Sequence, residues 1–425
     1  MDISEHQNFP NYLYISKLRP VPTMNGTGYM AFDIANPDLK WEETESYNVG
    51  LDLNLFRGRI EFIAEAYIKQ TKDLIIQIPP TLYSGISDNP YGTPGTLNAP
   101  FVNAGSVHNK GFELTLNTVN IDNNKFKWRS GLTFTLNRGE VKKLNTPDGT
   151  FYGKNGTELL SITQEGTPIG RFYGYVAEGL FVSEADFYTF DKDGNKKQVA
   201  IPKGKEIGLE GIWVGDIKWK DINGDGVIDE KDRTIIGDPN PKFTYGITNT
   251  FSYGNFDLTI DLQGVYGNDV YNGLRQTYEY PSGDHGLLKG VNNYAQIGQV
   301  NPNLQDGNTI LSNVYVVNQG NSIPRINNTN ANTNNRMSNL YIEDGSFLRI
   351  KNISIAYNLP KKLVNRCHIE GIRIYVNFQN LYTFTKYSGY DPEVGLYKNN
   401  ILLNGYDNGR YPSPRIYTFG LNLTL

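Results

Sequence analysis

Apolar and polar residues alternate with a period of two in nine stretches of this chain. In 47–56, Tyr47, Val49, Leu51, Leu53 and Leu55 are separated by Asn48, Gly50, Asp52 and Asn54. In 59–70, Ile60, Phe62, Ala64, Ala66 and Ile68 share one face against Glu61, Glu65 and Lys69. The pattern repeats in 111–119 (Phe112, Leu114, Leu116), 126–137 (Phe126, Trp128, Leu132, Phe134, Leu136) and 243–253 (Phe243, Tyr245, Ile247, Phe251). It returns in 256–266 (Phe256, Leu258, Ile260, Leu262), 371–381 (Ile372, Ile374, Val376, Phe378) and 415–425 (Tyr417, Phe419, Leu421, Leu423, Leu425). In 347–357 the apolar set changes phase near Asn352. A period of two sends alternate side chains to opposite faces of an extended strand, so the chain is predicted to be all-β. Each run has about the length a tilted strand needs to cross a bilayer, roughly 9–11 residues.

Alternation alone suits a soluble sandwich as well as a membrane barrel. The connections separate the two. Intervals 57–58, 120–125, 254–255 and 358–370 are short, and each is followed by a longer one: 71–110, 138–242, 267–346 and 382–414. Short turns at one rim and long loops at the other are the pattern of outer-membrane barrels. Loops of such length are uncommon in compact soluble domains. With the short turns in the periplasm, the first and last strands both run inward and residues 1–46 form an external segment. A complete bacterial barrel has an even number of strands, and an open edge in lipid leaves unpaired backbone groups costing several kcal/mol each. The expected fold is therefore an antiparallel transmembrane β-barrel that is incomplete, about nine strands of a larger barrel. Residues 47–425 would be its C-terminal portion.

Composition narrows the function. The chain has 40 Lys+Arg against 44 Asp+Glu and no basic block, which argues against nucleic acid as a partner. Its single cysteine, Cys367, makes neither an internal disulfide nor a cysteine-based zinc site. Tyr alone supplies 29 residues and Gly 44, a β-rich balance. Mean hydropathy is −0.47, and no apolar run reaches the roughly 18 residues of a membrane-spanning helix. Barrels keep a low average because only alternate residues face lipid. The opening Met1-Asp2-Ile3-Ser4-Glu5-His6 has no secretory pattern, which fits the later part of a longer barrel.

Five stretches resemble the SusC/RagA-type family of TonB-linked outer-membrane transporters. They are Asn36–Thr44 with Tyr47–Asp52, Gly215–Asp229 continuing to Gly246, and Glu343–Ile353 with Tyr357–Pro360. The others are Gln379–Glu393 and Tyr411–Leu425. The resemblance implies a 22-stranded barrel, an N-terminal plug and a TonB-interaction segment. It implies a SusD-like surface lipoprotein as a lid and import of oligosaccharide or peptide nutrients at the cell outer membrane. No counterpart of the plug is recognised in this sequence, so contact with the TonB complex is expected through an N-terminal part that is missing here. The final Leu425 stands where the family usually has an aromatic residue.

The sharpest local motif is Asp221-Ile222-Asn223-Gly224-Asp225-Gly226-Val227-Ile228-Asp229-Glu230-Lys231-Asp232. It has calcium-loop spacing, with hard oxygen ligands from Asp221, Asn223, Asp225, the Val227 carbonyl, Asp229 and Asp232. A bound Ca2+ would stiffen the long 138–242 loop. The competing reading is a metal-free turn rich in Asp and Asn.

No catalytic residues and no other cofactor are expected, and the protein is not expected to be an enzyme. His6, His108, His285 and His368 stand apart, without a hydrolase or zinc-protease motif. The carboxylates Asp52, Glu61, Glu65, Glu113, Asp257 and Asp261 read as lumen-facing positions rather than glycosidase pairs. Tyrosines in 83–91, 271–280 and 387–397 suit sugar rings or peptides, with girdle and loop packing as the plainer reading. Segment 320–336 reads as a polar external loop, and 170–182 as an extra strand outside the bilayer. The alternative function is a secreted or surface β-protein that binds glycan or calcium without transport. The residues that would bind substrate are not identified by sequence.

Overall fold

The computed structural model describes residues 12, 14–31, 34–77, 100–103, 105–146, 148–190, 192–280, 286–318, 320, 323–327, 329–364, 369–398 and 400–424. Nine long strands lie in one sheet in chain order. They are β1 (Glu43–Leu55), β2 (Ile60–Lys72), β3 (Gly105–Asp122), β4 (Phe126–Leu144) and β5 (Phe243–Tyr253). The rest are β6 (Phe256–Tyr266), β7 (Phe347–Asn358), β8 (Gly371–Thr385) and β9 (Ile416–Thr424). Every pairing with a defined register is antiparallel. The order starts at β1 and ends at β9, with no pairing between these two among the described residues.

All nine predicted segments are strands of this sheet. β1 starts at Glu43, four residues before the expected boundary at 47. β3 and β4 run 18 and 19 residues, well past the apolar alternation that located them. At about 3.3 Å per residue they are roughly 60 Å long, about twice what a bilayer requires. Their loop-side halves carry no lipid-facing pattern, so the periodicity marks only the spanning portion.

The chain divides into two compact units, each described by itself. The first comprises 1–117, 133–151 and 163–169. Here Val49 pairs with Ala66, Leu51 with Ala64 and Leu53 with Phe62. Val107, Val141, Leu144 and Phe151 pack together at the loop ends of β3 and β4. A separate hairpin, Leu18–Thr23 with Gly26–Ala31, precedes β1.

The second unit holds β5–β9, the turn-side ends of β3 and β4, and the long loops after β4, β6 and β8. Registers align the apolar positions into rows: Leu258, Ile355, Val376 and Phe419 lie side by side, as do Ile260, Ile353, Phe378 and Tyr417. Phe419 is 78% exposed and Ile355 42%, so this face is not covered by protein. Aromatic pairs close both ends of the β5–β6 hairpin, Phe243 against Tyr266 and Tyr253 against Phe256. Ten residue steps separate them, about 33 Å along the strand. At the usual tilt that projects to about 25 Å, the height of the apolar band in an outer-membrane barrel.

Two irregularities have physical causes. The phase change near Asn352 is a bulge. Asp261 pairs with Asn352 while Leu262 pairs with Ile350, which leaves Lys351 as the extra residue. One added residue exchanges the faces, and so Ile350 and Ile353 stay on the same side. The second is polarity within the apolar row of β5. Asn249 Oδ1 accepts from Trp128 Nε1 at 3.0 Å and Ser130 Oγ at 2.7 Å, and Asn120 Nδ2 donates to Ser130 Oγ at 2.8 Å. These polar groups on the apolar side satisfy one another, as a site without water requires.

Candidate functional site

The long loops of the second unit fold around cores of their own. Phe181 stacks on Phe187 with ring centroids 4.2 Å apart. Tyr175, Trp213, Trp219, Ile212, Val214, Ile217, Val314 and Val316 belong to the same larger cluster. The expected extra strand at 170–182 is two short ones, Arg171–Gly174 and Ala177–Leu180, and neither joins the nine-stranded sheet.

A buried polar network joins the loop after β4 to the loop after β6. Asp216, fully buried, receives Arg325 through two hydrogen bonds, Nε to Oδ1 at 3.0 Å and Nη2 to Oδ2 at 3.2 Å. Asn334 Nδ2 donates to Asp216 Oδ1, and Trp213 N–H to its Oδ2. Arg325 also donates to the carbonyls of Leu209 and Gly211. Asn332 donates to the Ile217 carbonyl, and Ile217 N–H to Asn334 Oδ1. The expected polar loop at 320–336 therefore holds buried residues, with Asn332 and Asn334 at 0% and 1% exposure. Sequence reasoning missed this clasp. Its one available signal was a lone Arg325 in a run of Asn and Thr.

A second device ties the loop after β8 to its strands. Arg349 on β7 is 1% exposed and makes ion pairs with Asp391 and with Glu393, the latter at 2.8 Å. Its Nε donates to Thr383 Oγ1 on β8. Burial alone would raise the Asp391 pKa. The N–H groups of Glu393 and Ser413 together with Arg349 outweigh that and hold it below the usual carboxylate range. Beside it, Asn380, Tyr382, Tyr390, Tyr411, Pro412 and Arg415 line part of a groove of about 480 Å3.

The loop tyrosines divide into two kinds. Tyr271 is fully buried between Phe172, Tyr341 and Tyr406, with the Tyr406 ring stacked at 5.6 Å. Burial pushes the Tyr406 hydroxyl up to about 12 and those of Tyr271 and Tyr341 well above their ordinary value. Such hydroxyls stay protonated at neutral pH, and this cluster serves packing. Tyr387 is also buried and donates to Asp407 at 2.6 Å. Tyr390 and Tyr411 remain exposed, at 70% and 87%. The tyrosines of 83–91 lie outside the described residues.

In the 221–232 loop the side chains bond to their own backbone. Asp221 accepts from Gly224 N–H and Gly226 N–H, Asp225 from Val227 N–H, and Asp232 from Ile222 and Asp229 N–H. Asp229 accepts from Lys231 N–H, and Asn223 Oδ1 from Asp225 N–H. Gly224 and Gly226 have φ of +75° and +86°, which the tight turns require. Among the described residues no group of three or more His, Cys, Asp or Glu is gathered as for a metal ion.

Three of the six polar-face carboxylates, Asp257, Asp261 and Glu61, are met by cross-strand neighbours. Asp257 accepts from Arg373, Asn358 and Ser252, Asp261 from Thr248 and Asn352, and Glu61 from Asn117. His6, His285 and His368 lie outside the described residues, as does Cys367. His108 lies on β3.

An antiparallel sheet of long strands with an uncovered apolar face, aromatic pairs at both ends of its β5–β6 hairpin and large folded loops between strands defines an outer-membrane β-barrel protein. A family model for the TonB dependent receptor-like β-barrel matches residues 6–381, and the chain belongs to that family. It is 32% identical over 405 residues to TonB-dependent receptor P3 of Formosa agariphila, covering 93% of this chain and 35% of that protein. It is 28% identical over 393 residues to TonB-dependent receptor SusC of Bacteroides thetaiotaomicron, covering 92% and 32%. The chain thus spans about a third of the length of these relatives. The solved RagAB peptide importer in its closed-closed state superposes with a TM-score of 0.71 at 23% identity. That match covers 97% of this chain and 39% of the other, and it shows the same fold.

Proposed function

We propose that this chain supplies barrel strands and the folded outer loops of a SusC/RagA-type importer. The cargo is an oligosaccharide or peptide nutrient, captured under a SusD-like surface lipoprotein and moved by energy from the TonB complex. One observation carries the reading. The same strands present an uncovered apolar face and a hydrogen-bonded polar face, while the loops between them form large folded bodies rather than a second sheet. Lipid suits the first face and a water-filled passage the second. The loops, stiffened by the Asp216–Arg325 clasp and the Arg349 latch, offer a preformed surface to cargo. Family relatives support the transport class, and the names SusC and RagAB support a partner lipoprotein.

The test is uptake in cells. Deleting the gene is expected to abolish entry of one class of labelled oligosaccharide or peptide, with the protein migrating heat-modifiably from the outer-membrane fraction. A soluble periplasmic product, or unchanged uptake of every class offered, would refute the proposal.

A further inference from the structure

One face of a small loop sheet in the second unit lies outside both clasps and keeps part of its surface in solvent. Strand Arg171–Gly174 alternates cleanly. Phe172 and Gly174 are buried, while Arg171 and Tyr173 keep part of their surface in solvent. Tyr175 follows on that same side but is only 6% exposed and belongs to the larger loop core, with the Arg336 guanidinium 4.5 Å from its ring. The neighbouring strand brings Ile235 opposite Tyr173, and Arg233 stands 5.4 Å from the Tyr175 ring. The ring of Tyr152 lies 6.0 Å from that of Tyr173 and is 38% exposed. The face therefore reads cation, aromatic, cation: Arg171, then Tyr173 flanked by Tyr152, then Arg233 above Tyr175.

The charges here are not balanced by the protein. Arg171 Nε is buried without a hydrogen-bond partner. Among the described residues neither Arg171 nor Arg233 forms an ion pair. The neighbouring carboxylate, Asp232, is itself buried and gives both oxygens to backbone N–H groups. Arg336 is engaged with the carbonyls of Asn332 and Thr333, and burial pushes its pKa down, with the nearby Arg233 adding to the effect. Uncompensated guanidiniums in a chain of net charge −4 mark a place built for an anion.

We propose that this face binds a uronate-bearing oligosaccharide. The inference deepens the import reading by naming a substrate class, and it rests on that reading for its biological role. Arg171 and Arg233, the latter beside Tyr175 four strand steps further on, bracket about 13 Å, the reach of a short oligosaccharide. Planar carboxylates match the guanidinium fork, and sugar rings lie flat on tyrosine faces. An extended peptide fits less well. Added as a further strand it would lie beside Thr234–Gly237, the outer strand of this sheet, and not across Arg171–Gly174, which pairs on both sides.

The experiment is calorimetric titration of the detergent-solubilised chain with tetragalacturonate, its neutral methyl ester and tetraglutamate. Saturable binding of tetragalacturonate alone is expected. Arg171→Ala and Arg233→Ala should each weaken it about ten-fold or more, since a charge-assisted hydrogen bond is lost. Arg171→Lys and Arg233→Lys should recover part of that loss, and near-UV circular dichroism should match the parent in all variants. Equal binding of the methyl ester, equal binding of tetraglutamate, or unchanged affinity in both alanine variants would overturn the proposal. Uptake of another nutrient by cells, with no tetragalacturonate binding, would overturn this inference alone. Binding without any uptake would support it while removing the transport reading.

Discussion

A charge placed at two successive positions on β7 tests the membrane reading most directly. Ile355 lies in the middle of the apolar row, between Leu258 on β6 and Val376 on β8, and is 42% exposed. Ser354 is one residue away and faces the other side, between Thr259 and Asn377. In Ile355→Arg the guanidinium enters the apolar band near its mid-height, far from the aromatic rows at either end. An arginine on the lipid face at that depth costs about 2–4 kcal/mol, against nearly nothing in a wet lumen. With RT near 0.6 kcal/mol, the folded-to-unfolded ratio of Ile355→Arg should fall by about 30- to 1000-fold. Ser354→Arg should stay within a few fold of the parent.

The assay is the amount of heat-modifiable protein extracted from the outer-membrane fraction, with each variant expressed from its own promoter. Loss of Ile355→Arg beside normal recovery of Ser354→Arg is the expected result. A soluble sandwich makes the same forecast for this pair. There the apolar row is the buried core and the Ser354 face meets solvent, so Ile355→Arg would also be lost. Tyr253→Arg separates the two. At the band edge in lipid it costs about 0–1 kcal/mol and is tolerated. Severe loss of Tyr253→Arg, or loss of Ser354→Arg equal to that of Ile355→Arg, would refute the lipid-facing assignment.

Other perturbations reach separate parts of the molecule. Asp216→Ala leaves Arg325 buried without its partner, a change that costs about 3–5 kcal/mol. Limited proteolysis should then cut within 200–215 and 318–330, and an unchanged digest would refute the clasp. Gly420→Ala would place a Cβ inside the Tyr375 ring. It should lower the melting temperature, and Tyr375→Ser in the same chain should restore most of the loss. Asp391 titrates below its ordinary range, so its stabilising contribution is present above about pH 4 and lost as pH falls through the depressed value. Protease resistance of 386–415 should therefore hold from pH 8 to 5 and fail in stronger acid. The spacing of the 221–232 loop predicts that millimolar calcium changes Trp219 fluorescence in the parent but not in Asp221→Asn combined with Asp232→Asn. The same spectrum in both would leave the loop as a hydrogen-bonded turn.

The strands were legible because lipid and water impose opposite demands on alternate residues, a signal that survives in a single sequence. It located nine strands and even the β7 bulge, whose extra residue had to show as a phase change. It located them only where lipid touches them, which is why β3 and β4 came out short. The loop interior was illegible for a related reason. Its cohesion comes from Asp216, Arg325, Asn332 and Asn334, polar residues that look like surface when read one at a time. Only pairing across more than 100 residues buries them. The tyrosines showed the same limit: identity alone did not separate Tyr271, wholly inside, from Tyr390, largely outside.

This division has a consequence for where specificity resides. Asp257, Asp261 and Glu61 on the polar face are each met by a neighbour across the sheet. Substituting those positions therefore breaks an internal bond as well as changing the surface. The loop face with Arg171 and Arg233 is different, because among the described residues these two form no ion pair that a substitution would break. Relatives can alter charge there at little cost to folding, while the clasp at Asp216 and the latch at Arg349 hold the surface in place. The physical expectation is that ligand choice is written on faces supported by such buried pairs and not on the spanning strands.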